Sequence, residues 1–287
     1  MINIEKILEE KPIKDLLNFS IVNIDKPSGP TSFGVDQIIK KALNISKTSH
    51  FGTLDPMVTG VLPVALGRAC KLMPYFIGKE KTYVGVMSVH NNLERNELEK
   101  EISNFIGKIN QLPPVKSRVK RQIREREVYE FKILEQDEKN EKNFIFKAKV
   151  EAGTYIRKLI HDLGEKIGGA HMLELRRTQA SIFNEEKSVD IYKFLEAVEE
   201  YKKGNEKLLR NILIPGEIIS KVLSVTQIKG QYLTKIYHGC PLRKEMIEYV
   251  PNENLFCLFN NKEFVGVYEK TKEKEIIARP RYILQPL

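Results

Sequence analysis

The sequence contains no tryptophan, three cysteines and no long hydrophobic run. Cys70, Cys240 and Cys257 are odd in number and far apart, which excludes a disulfide framework and a cysteine-rich zinc site and favours a reducing environment. No stretch approaches the roughly 18 apolar residues that a membrane span needs, so an integral membrane protein is excluded. The charged segment 1–12 lacks the apolar core of a signal peptide, and secretion is not expected.

Motifs for common cofactors and nucleophiles are also missing. The chain has no G-x-x-x-x-G-K-S/T phosphate loop, no G-x-G-x-x-G before a helix, no H-E-x-x-H and no G-x-S-x-G elbow. Its five histidines are scattered and do not form a recognisable set of metal ligands. The residues therefore give little support to metal-dependent, nucleotide-dependent or serine-nucleophile chemistry.

Positive charge is what the sequence does have. Lysine and arginine number 47 against 38 aspartates and glutamates, a net charge of +9 over 287 residues. This balance favours a polyanionic partner, nucleic acid first, although a lysine-rich surface would give the same total. Hydrophobic residues make up 41%, enough for the core of one large domain or of one large and one small domain.

Strand-like and helix-like segments are mixed without regular alternation, which predicts an α+β fold. Apolar residues at helical spacing predict a helix over 35–43, with Ser32 as its N-cap, and another over 156–167. The glycine- and proline-rich segment 50–67 is expected to form a structured loop and a short helix.

Strands are predicted where apolar and polar residues alternate, over 82–89, 129–133 and 144–150. After Pro215 the sequence changes to short β-like runs at 221–225, 256–259, 264–268 and 275–277, which indicates a small all-β domain that packs against its neighbour. We therefore predict a catalytic domain over 1–214, with 1–20 as an N-terminal arm, and a second domain over 215–287.

An aspartate framed by glycine and proline lies in the segment 50–56, HFGTLDP. Gly52 permits a sharp turn, and Pro56 biases Asp55 towards an extended conformation, so the acid is held in one orientation. An Asp-Pro pair alone more often marks an ordinary turn than a functional site. His50 could stack on a base or cap a turn.

Two further side chains could serve the same site. Tyr83 opens a predicted strand and could stack on a flipped base and offer a phenol for proton transfer, or could simply be a core tyrosine. Arg157 falls beside the apolar stripe of its helix, where a permanent charge needs a carboxylate. A bidentate pair with Asp55 would satisfy both residues, whereas a lone helical arginine more commonly points to solvent.

A basic run covers residues 116–126 and holds six cations against one acid: Lys116, Arg118, Lys120, Arg121, Arg124 and Arg126. Such a run favours a loop that contacts phosphates over one that is merely solvated. Arg118, Lys120 and Arg121 are the predicted RNA contacts. Arg176 and Arg177 form a second basic pair that could extend the same surface.

Several strings resemble the motifs of TruB-type pseudouridine synthases, in the order of that family. They are KPSGPTS at 26–32, HFGTLDPMVTGVLPVALGRACKL at 50–72, KTYV at 81–84, GTYIRKLIHDLG at 153–164 and GAHMLELRRT at 169–178. QLPPVKSRVKRQIREREVYE at 111–130 is similar to the archaeal and eukaryotic dyskerin-type branch, the catalytic subunit of box H/ACA particles. The resemblance implies a central mixed, mostly antiparallel sheet flanked by helices, and a small C-terminal β-barrel (PUA) domain.

The resemblance also implies roles for individual residues. Asp55 corresponds to the catalytic aspartate, Tyr83 to the tyrosine that stacks on the target base, and Arg157 to the arginine paired with the aspartate. The reaction breaks the glycosidic bond of uridine, rotates the base and rejoins it through C5. Nothing is oxidised or added, so neither a cofactor nor a metal is implied.

Three more positions match residues around the pocket of that family. His50 corresponds to a histidine near the flipped nucleotide, Leu175 to an apolar residue that lines the pocket, and Lys26 to a motif that supports it.

Two functions compete: an RNA pseudouridine synthase, and a non-catalytic RNA-binding scaffold of a ribonucleoprotein. The joint presence of Asp55, Tyr83 and Arg157 favours the enzyme. Its substrate would be the TΨC-loop uridine of tRNA, or ribosomal RNA selected by an H/ACA guide RNA together with small accessory proteins. The long lysine-rich tail of eukaryotic dyskerins is missing from this sequence, which favours an archaeal-type protein of the cytoplasm.

Overall fold

The computed structural model describes residues 2–113 and 120–286. The α-helices in these residues are α1 Ile4–Glu10, α2 Ile13–Asn18, α3 Ser32–Leu43, α4 Met73–Ile77, α5 Arg95–Ser103, α6 Ile156–Ile167, α7 Ile191–Lys202, α8 Lys207–Ile212 and α9 Leu233–Tyr237. No helix in this part of the chain is long and apolar enough to cross a membrane.

Eleven strands of the described residues form a first sheet. They are β1 Phe19–Lys26, β2 Thr48–His50, β3 Thr59–Gly67, β4 Lys81–Val89, β5 Gly107–Gln111, β6 Arg124–Gln136, β7 Asn143–Val150, β8 Ala170–Ala180, β9 Phe183–Asn184, β10 Val189–Asp190 and β11 Leu213–Pro215. The main path runs β10-β1-β3-β8-β4-β7-β6-β5, and β11, β2 and β9 pair with β1, β3 and β8. The β1–β10 and β3–β8 pairs are parallel and the others antiparallel, which confirms the predicted mixed, mostly antiparallel sheet.

A second sheet follows at the C-terminal end. It consists of β12 Ser224–Gln227, β13 Leu255–Asn260, β14 Glu263–Lys270 and β15 Ala278–Ile283, paired in that order. The predicted last strand, at 275–277, is displaced: the observed strand begins at Ala278, whose neighbour Ile277 pairs through its N–H with Leu242 O at 2.8 Å. A second sheet lies where the small β domain was predicted, but α9 at Leu233–Tyr237 shows that this region is not all-β, and the boundary at 214/215 stays a prediction.

The segment expected to be a loop and short helix over 50–67 is mostly strand, because β3 runs from Thr59 to Gly67 between β1 and β8. Seven of its nine residues, 60–66, are buried, so it has the continuous apolar pattern of a central strand rather than an alternation. Gly60 and Pro63 suggested a loop, yet Pro63 lies inside the β1–β3 pairing and its carbonyl accepts from Phe51 N at 2.8 Å.

The principal core lies where α3, α5, α6 and α7 cover one face of the first sheet. The predicted stripe of α6 is confirmed, with Ile156, Leu159, Ile160 and Leu163 all buried. The helix ends at Gly168, which adopts the left-handed conformation with φ of 84°. Its first turn lies at the same end of the sheet as the segment between β2 and β3.

Candidate active site

The segment that carries Asp55 is fixed by Ser32. Leu54 N donates to Ser32 Oγ at 2.8 Å, and Ser32 Oγ donates to Leu54 O at 3.0 Å. The prediction that Ser32 caps α3 is therefore wrong, because its buried hydroxyl is used across the fold. Thr31 caps the helix instead, accepting from Gly34 N at 2.9 Å.

Lys26 supports the residue that follows Asp55. Its ammonium is buried and donates to three carbonyls, those of Pro27 at 2.7 Å, Pro30 at 2.9 Å and Pro56 at 3.0 Å. Burial lowers the pKa of this ammonium. Gly29 N also donates to Pro56 O at 3.0 Å, so the turn after β1 and the turn at Asp55 form one hydrogen-bonded unit.

The structure brings Asp55 and Arg157 together. Arg157 Nη2 donates to Asp55 Oδ2, across 102 positions of sequence. The side chains are 52% and 54% exposed, so the pair is open to solvent and not buried as its place beside the apolar stripe suggested. Arg157 lies in the first turn of α6 beside the buried face of the helix, and its side chain extends outward to the carboxylate. An ion pair this exposed adds little stability, and its main effect is to orient the carboxylate.

Gln111, which the sequence did not single out as a site residue, holds the start of α6. Its Nε2 donates to Tyr155 O at 3.2 Å and its Oε1 accepts from Tyr155 N at 3.0 Å. Gln111 is buried at the end of β5, and Tyr155 is the N-cap of the helix, two residues before Arg157. The reciprocal bonds therefore fix the first turn of α6, with Arg157, relative to the sheet. Only the QLPP string at 111–114 could have indicated Gln111 from the sequence.

Tyr83 and Leu175 are buried in the principal core. Both are 8% exposed, and they belong to the same packed cluster as Leu54 and Ile156, the neighbours in sequence of Asp55 and Arg157. Tyr83 is therefore a core tyrosine by burial, and its role at the site stays a prediction.

His50 lies between α3 and the aspartate segment. Its Nδ1 is 2.7 Å from Asp36 Oδ2 and its Nε2 is 3.2 Å from Thr53 Oγ1. A neutral ring that donates through Nδ1 to the carboxylate can accept from the threonine hydroxyl at Nε2. The imidazole thus links a buried helical acid to the turn, and Asp36 is a second residue that the motif strings did not reveal.

The second basic pair is not an extension of a phosphate-binding surface. Arg176 makes a bidentate contact with Asp25, at 2.9 Å for each bond, and a third bond to Glu185 at 2.8 Å. Hydrogen bonding with Asp25 raises the pKa of Arg176. Arg177 is 1% exposed and faces the interior.

The basic run is in part on a strand. Arg124 and Arg126 lie on β6, where Arg124 pairs with Gln111 of β5. Lys120 and Arg121 are exposed in the connection that leads into β6. Arg118 falls outside the described residues.

The geometry combines an oriented, solvent-accessible carboxylate with a guanidinium bonded to it, on a domain whose core includes the phenol of Tyr83. It can receive an extruded base and act on it with a carboxylate, either by covalent attack or by removing a proton. Among residues 2–113 and 120–286, no group of three or more histidine, cysteine, aspartate or glutamate side chains is arranged to hold a metal ion.

This arrangement on a large mixed sheet, with a second small sheet, defines the class of pseudouridine synthases. Residues 40–156 match the N-terminal domain of the TruB family of pseudouridylate synthases, and residues 157–220 match the C-terminal domain of tRNA pseudouridylate synthase B. The chain belongs to the TruB family.

Similar proteins agree with this assignment. A probable tRNA pseudouridine synthase B of Archaeoglobus fulgidus is 40% identical over 277 residues, covering 96% of this chain and 82% of the relative. One of Methanocaldococcus jannaschii is 41% identical over 232 residues, covering 80% and 68%. A chain in the crystal structure of a Cbf5–Nop10–Gar1 complex superposes with a TM-score of 0.89 at 34% identity, covering 97% of this chain and 89% of that one. A chain of an H/ACA particle bound to a substrate RNA containing 2'-deoxyuridine gives a TM-score of 0.86 at 32% identity, covering 97% and 89%.

The chain is therefore a pseudouridine synthase, an isomerase that converts uridine to pseudouridine. This confirms the predicted activity over the alternative of a non-catalytic scaffold.

Proposed function

We propose that the chain modifies the TΨC-loop uridine of tRNA, with Asp55 as the catalytic residue. The observation that carries the proposal is the position of Asp55: the adjoining backbone is held by Ser32 and Lys26, and the carboxylate is bonded to Arg157. A carboxylate held in this way meets an extruded base without first having to be ordered, which lowers the entropic part of the barrier.

Tyr83 and Arg157 complete the proposed catalytic set. We assign the buried ring of Tyr83 to the floor of the site, where it can stack on the base, and Arg157 aims the carboxylate. Leu175 lines the same floor, while His50 and Lys26 keep the turns around the aspartate in place.

RNA binding is assigned to the basic run, with Arg118, Lys120 and Arg121 as phosphate contacts. The exposure of Lys120 and Arg121 in the connection between β5 and β6 supports this assignment. Residues 215–287 would form a PUA-like RNA-binding domain, separate from the catalytic domain over 1–214. The second sheet supports it, as does a shallow pocket beside it whose lining includes His238 and Gly239.

A second candidate substrate is RNA selected by a guide. The specific observation in its favour is the close superposition on chains from a Cbf5–Nop10–Gar1 complex and an H/ACA particle. In that setting small accessory proteins and an H/ACA guide RNA would be partners of this chain. The relatives named above are archaeal, and archaea have no nucleus, which supports a cytoplasmic protein.

The test is mass-spectrometric mapping of pseudouridine in two reactions. One contains a tRNA transcript and the protein alone, and the other contains an rRNA fragment, a guide RNA and the accessory proteins. Formation at the TΨC loop without guide supports the tRNA substrate, whereas formation only in the guided reaction supports the second candidate.

The catalytic assignment is tested in the same assay with Asp55→Asn. We expect product formation to be abolished while RNA affinity stays within about threefold, because phosphate contacts dominate binding. Asp162→Asn is the matched control, since it makes the same change at a partly buried ion pair of α6 with Lys158. Substantial single-turnover activity of Asp55→Asn would remove Asp55 from the mechanism.

A further inference from the structure

Arg177 is a buried cation that the roles proposed above do not use. It is 1% exposed, its Nε donates to Val61 O at 2.8 Å and its Nη2 donates to Gly52 O at 2.9 Å. Gly52 and Val61 are the residues on either side of the segment 53–60, which contains Asp55. One guanidinium therefore holds both ends of the segment that presents the aspartate.

The same side chain also neighbours the tyrosine of the site. Tyr83 and Arg177 are directly paired between β4 and β8, so their side chains leave the sheet on the same face. Burial lowers the pKa of the Arg177 guanidinium, while its contact with the Tyr83 hydroxyl acts in the opposite direction. Arg177 thus contacts the aspartate segment and the tyrosine at once.

Two glycines allow the aspartate segment to come this close. Gly60 pairs with Arg177 between β3 and β8, and a Cβ there would lie 2.2 Å from Arg177 O. Gly52 has φ of 101°, and a Cβ on it would lie 3.4 Å from Arg177 Nη1. The glycines of the motif therefore fit around the arginine as well as allowing a turn.

A buried arginine is costly unless its hydrogen bonds are made, and here they go to two carbonyls of one segment. An apolar side chain of similar size would fill the space without holding either end of the segment. A lysine would offer a single nitrogen at a shorter reach in place of a planar group with two separated donors. Only a planar guanidinium can reach both carbonyls, which indicates that Arg177 serves to position the aspartate segment.

We propose that Arg177 is a positioning residue of the synthase, which sets the distance between Asp55 and Tyr83 without touching the RNA. The inference rests on the proposed roles of Asp55 and Tyr83. Loss of the guanidinium leaves both groups present but no longer held relative to each other. The chemical step then slows while RNA affinity is retained.

The first test compares Arg177→Lys with Arg176→Lys. The two changes are identical and adjacent, but Arg176 lies in a surface ion pair with Asp25 and Glu185. At saturating RNA, the single-turnover rate of Arg177→Lys should fall by about 100-fold, the effect expected of a misplacement of about 1 Å, with the dissociation constant for RNA within about threefold. Arg176→Lys should stay within about threefold of the parent in both quantities.

A general loss of stability is distinguished by Leu209→Ala, which removes buried side-chain volume from the core at α8. Assayed below the melting temperature of each variant, Leu209→Ala should retain the parental rate. An equal loss of rate in Leu209→Ala, or a rate of Arg177→Lys within about threefold of the parent, would overturn the proposal.

Gly52→Ala decides the case if Arg177→Lys does not fold, because a side chain at φ of 101° strains the backbone whose carbonyl accepts from the guanidinium. Gly107→Ala is its control, with a similar φ of 92° and nothing within 4 Å of the added Cβ. We expect at least a tenfold loss of rate for Gly52→Ala and none for Gly107→Ala, and parental activity in both of these variants would refute the proposal.

If Arg177→Lys and Gly52→Ala both fold, the double variant should lose less rate than the product of the single losses, since both changes release the same contact. A fully multiplicative loss contradicts the proposal.

The activity of Asp55→Asn distinguishes a failure of the proposed catalytic role of Asp55 from a failure of the positioning role of Arg177. An active Asp55→Asn protein defeats the proposed catalytic role itself. An inactive one, with Arg177→Lys turning over normally, defeats only the positioning role of Arg177.

Discussion

Lys81 is expected to make the stability of the protein rise with pH in the alkaline range. It is 6% exposed at the start of β4, and its ammonium donates to Ile77 O at 2.7 Å and to Lys79 O. Burial, with the positive charge of Arg177 as a second cause, lowers the pKa of Lys81 from 10.5 to about 8. In the unfolded chain both causes are removed and the ordinary value returns.

Stability rises with pH because the pKa of Lys81 is lower in the folded protein than in the unfolded chain. Between about pH 8 and 10.5 the unfolded chain holds a proton on Lys81 that the folded protein has released, so the free energy of unfolding increases with pH. The difference between the two pKa values corresponds to about 3 kcal/mol when deprotonation is complete, and about 2 kcal/mol of it appears between about pH 7 and about pH 9.5. Below about pH 8 both states are charged, and this contribution is absent.

Urea unfolding of the parent and of Lys81→Met at these two pH values measures the effect. The variant has no titrating group here, so the stability of the parent relative to the variant should increase by about 2 kcal/mol on going to the higher pH. Lys14→Met, which changes an exposed lysine of α2, is the control and should show no such change. A parent-minus-variant difference that stays constant within about 0.5 kcal/mol would refute the reasoning, since one pKa unit corresponds to about 1.4 kcal/mol.

Three further outcomes are expected. Arg157→Lys keeps the charge but loses the planar fork, so the single-turnover rate should fall by at least about tenfold at unchanged RNA affinity; a rate within threefold of the parent would argue against the pairing as the source of orientation. Gln111→Leu removes both bonds to the start of α6 and should cost about 2 kcal/mol in urea unfolding together with a slower chemical step, and loss of stability alone would confine it to folding. Neutralising Arg118, Lys120 and Arg121 together should flatten the dependence of log affinity on log salt by roughly two to three, whereas parallel salt lines for the parent and the triple variant would leave these charges as a solvated surface.

Local periodicity predicted the elements whose neighbours in sequence determine them. The spacing of apolar residues alone predicted the buried face of α6, the strand β7 and the strand after Lys81. The pairing of Asp55 with Arg157 was predicted because a cation beside an apolar stripe needs a carboxylate. The exposure of this ion pair was not predicted, because it depends on where the first turn of α6 lies relative to the segment between β2 and β3.

Residues whose partners are backbone carbonyls of distant segments could not be predicted in this way. Ser32, Gln111 and Arg177 each bond to main-chain groups that only the assembled sheet brings near, and a main-chain group leaves no signature in the sequence. For the same reason β3 was mistaken for a loop: its glycine at position 60 serves the close approach to β8, not a turn.

The apolar cluster that joins the two sheets has a mechanical consequence. Phe19 of β1 stacks on Phe264 of β14 with ring centroids 5.3 Å apart, and Tyr282 of β15 donates to Arg68 O at 3.3 Å. Residues of both sheets belong to this one buried cluster, so removing the second sheet would leave Phe19 in water. This shared core opposes relative movement of the two sheets. An RNA that contacted both would therefore have to bend itself to bring a uridine to Asp55.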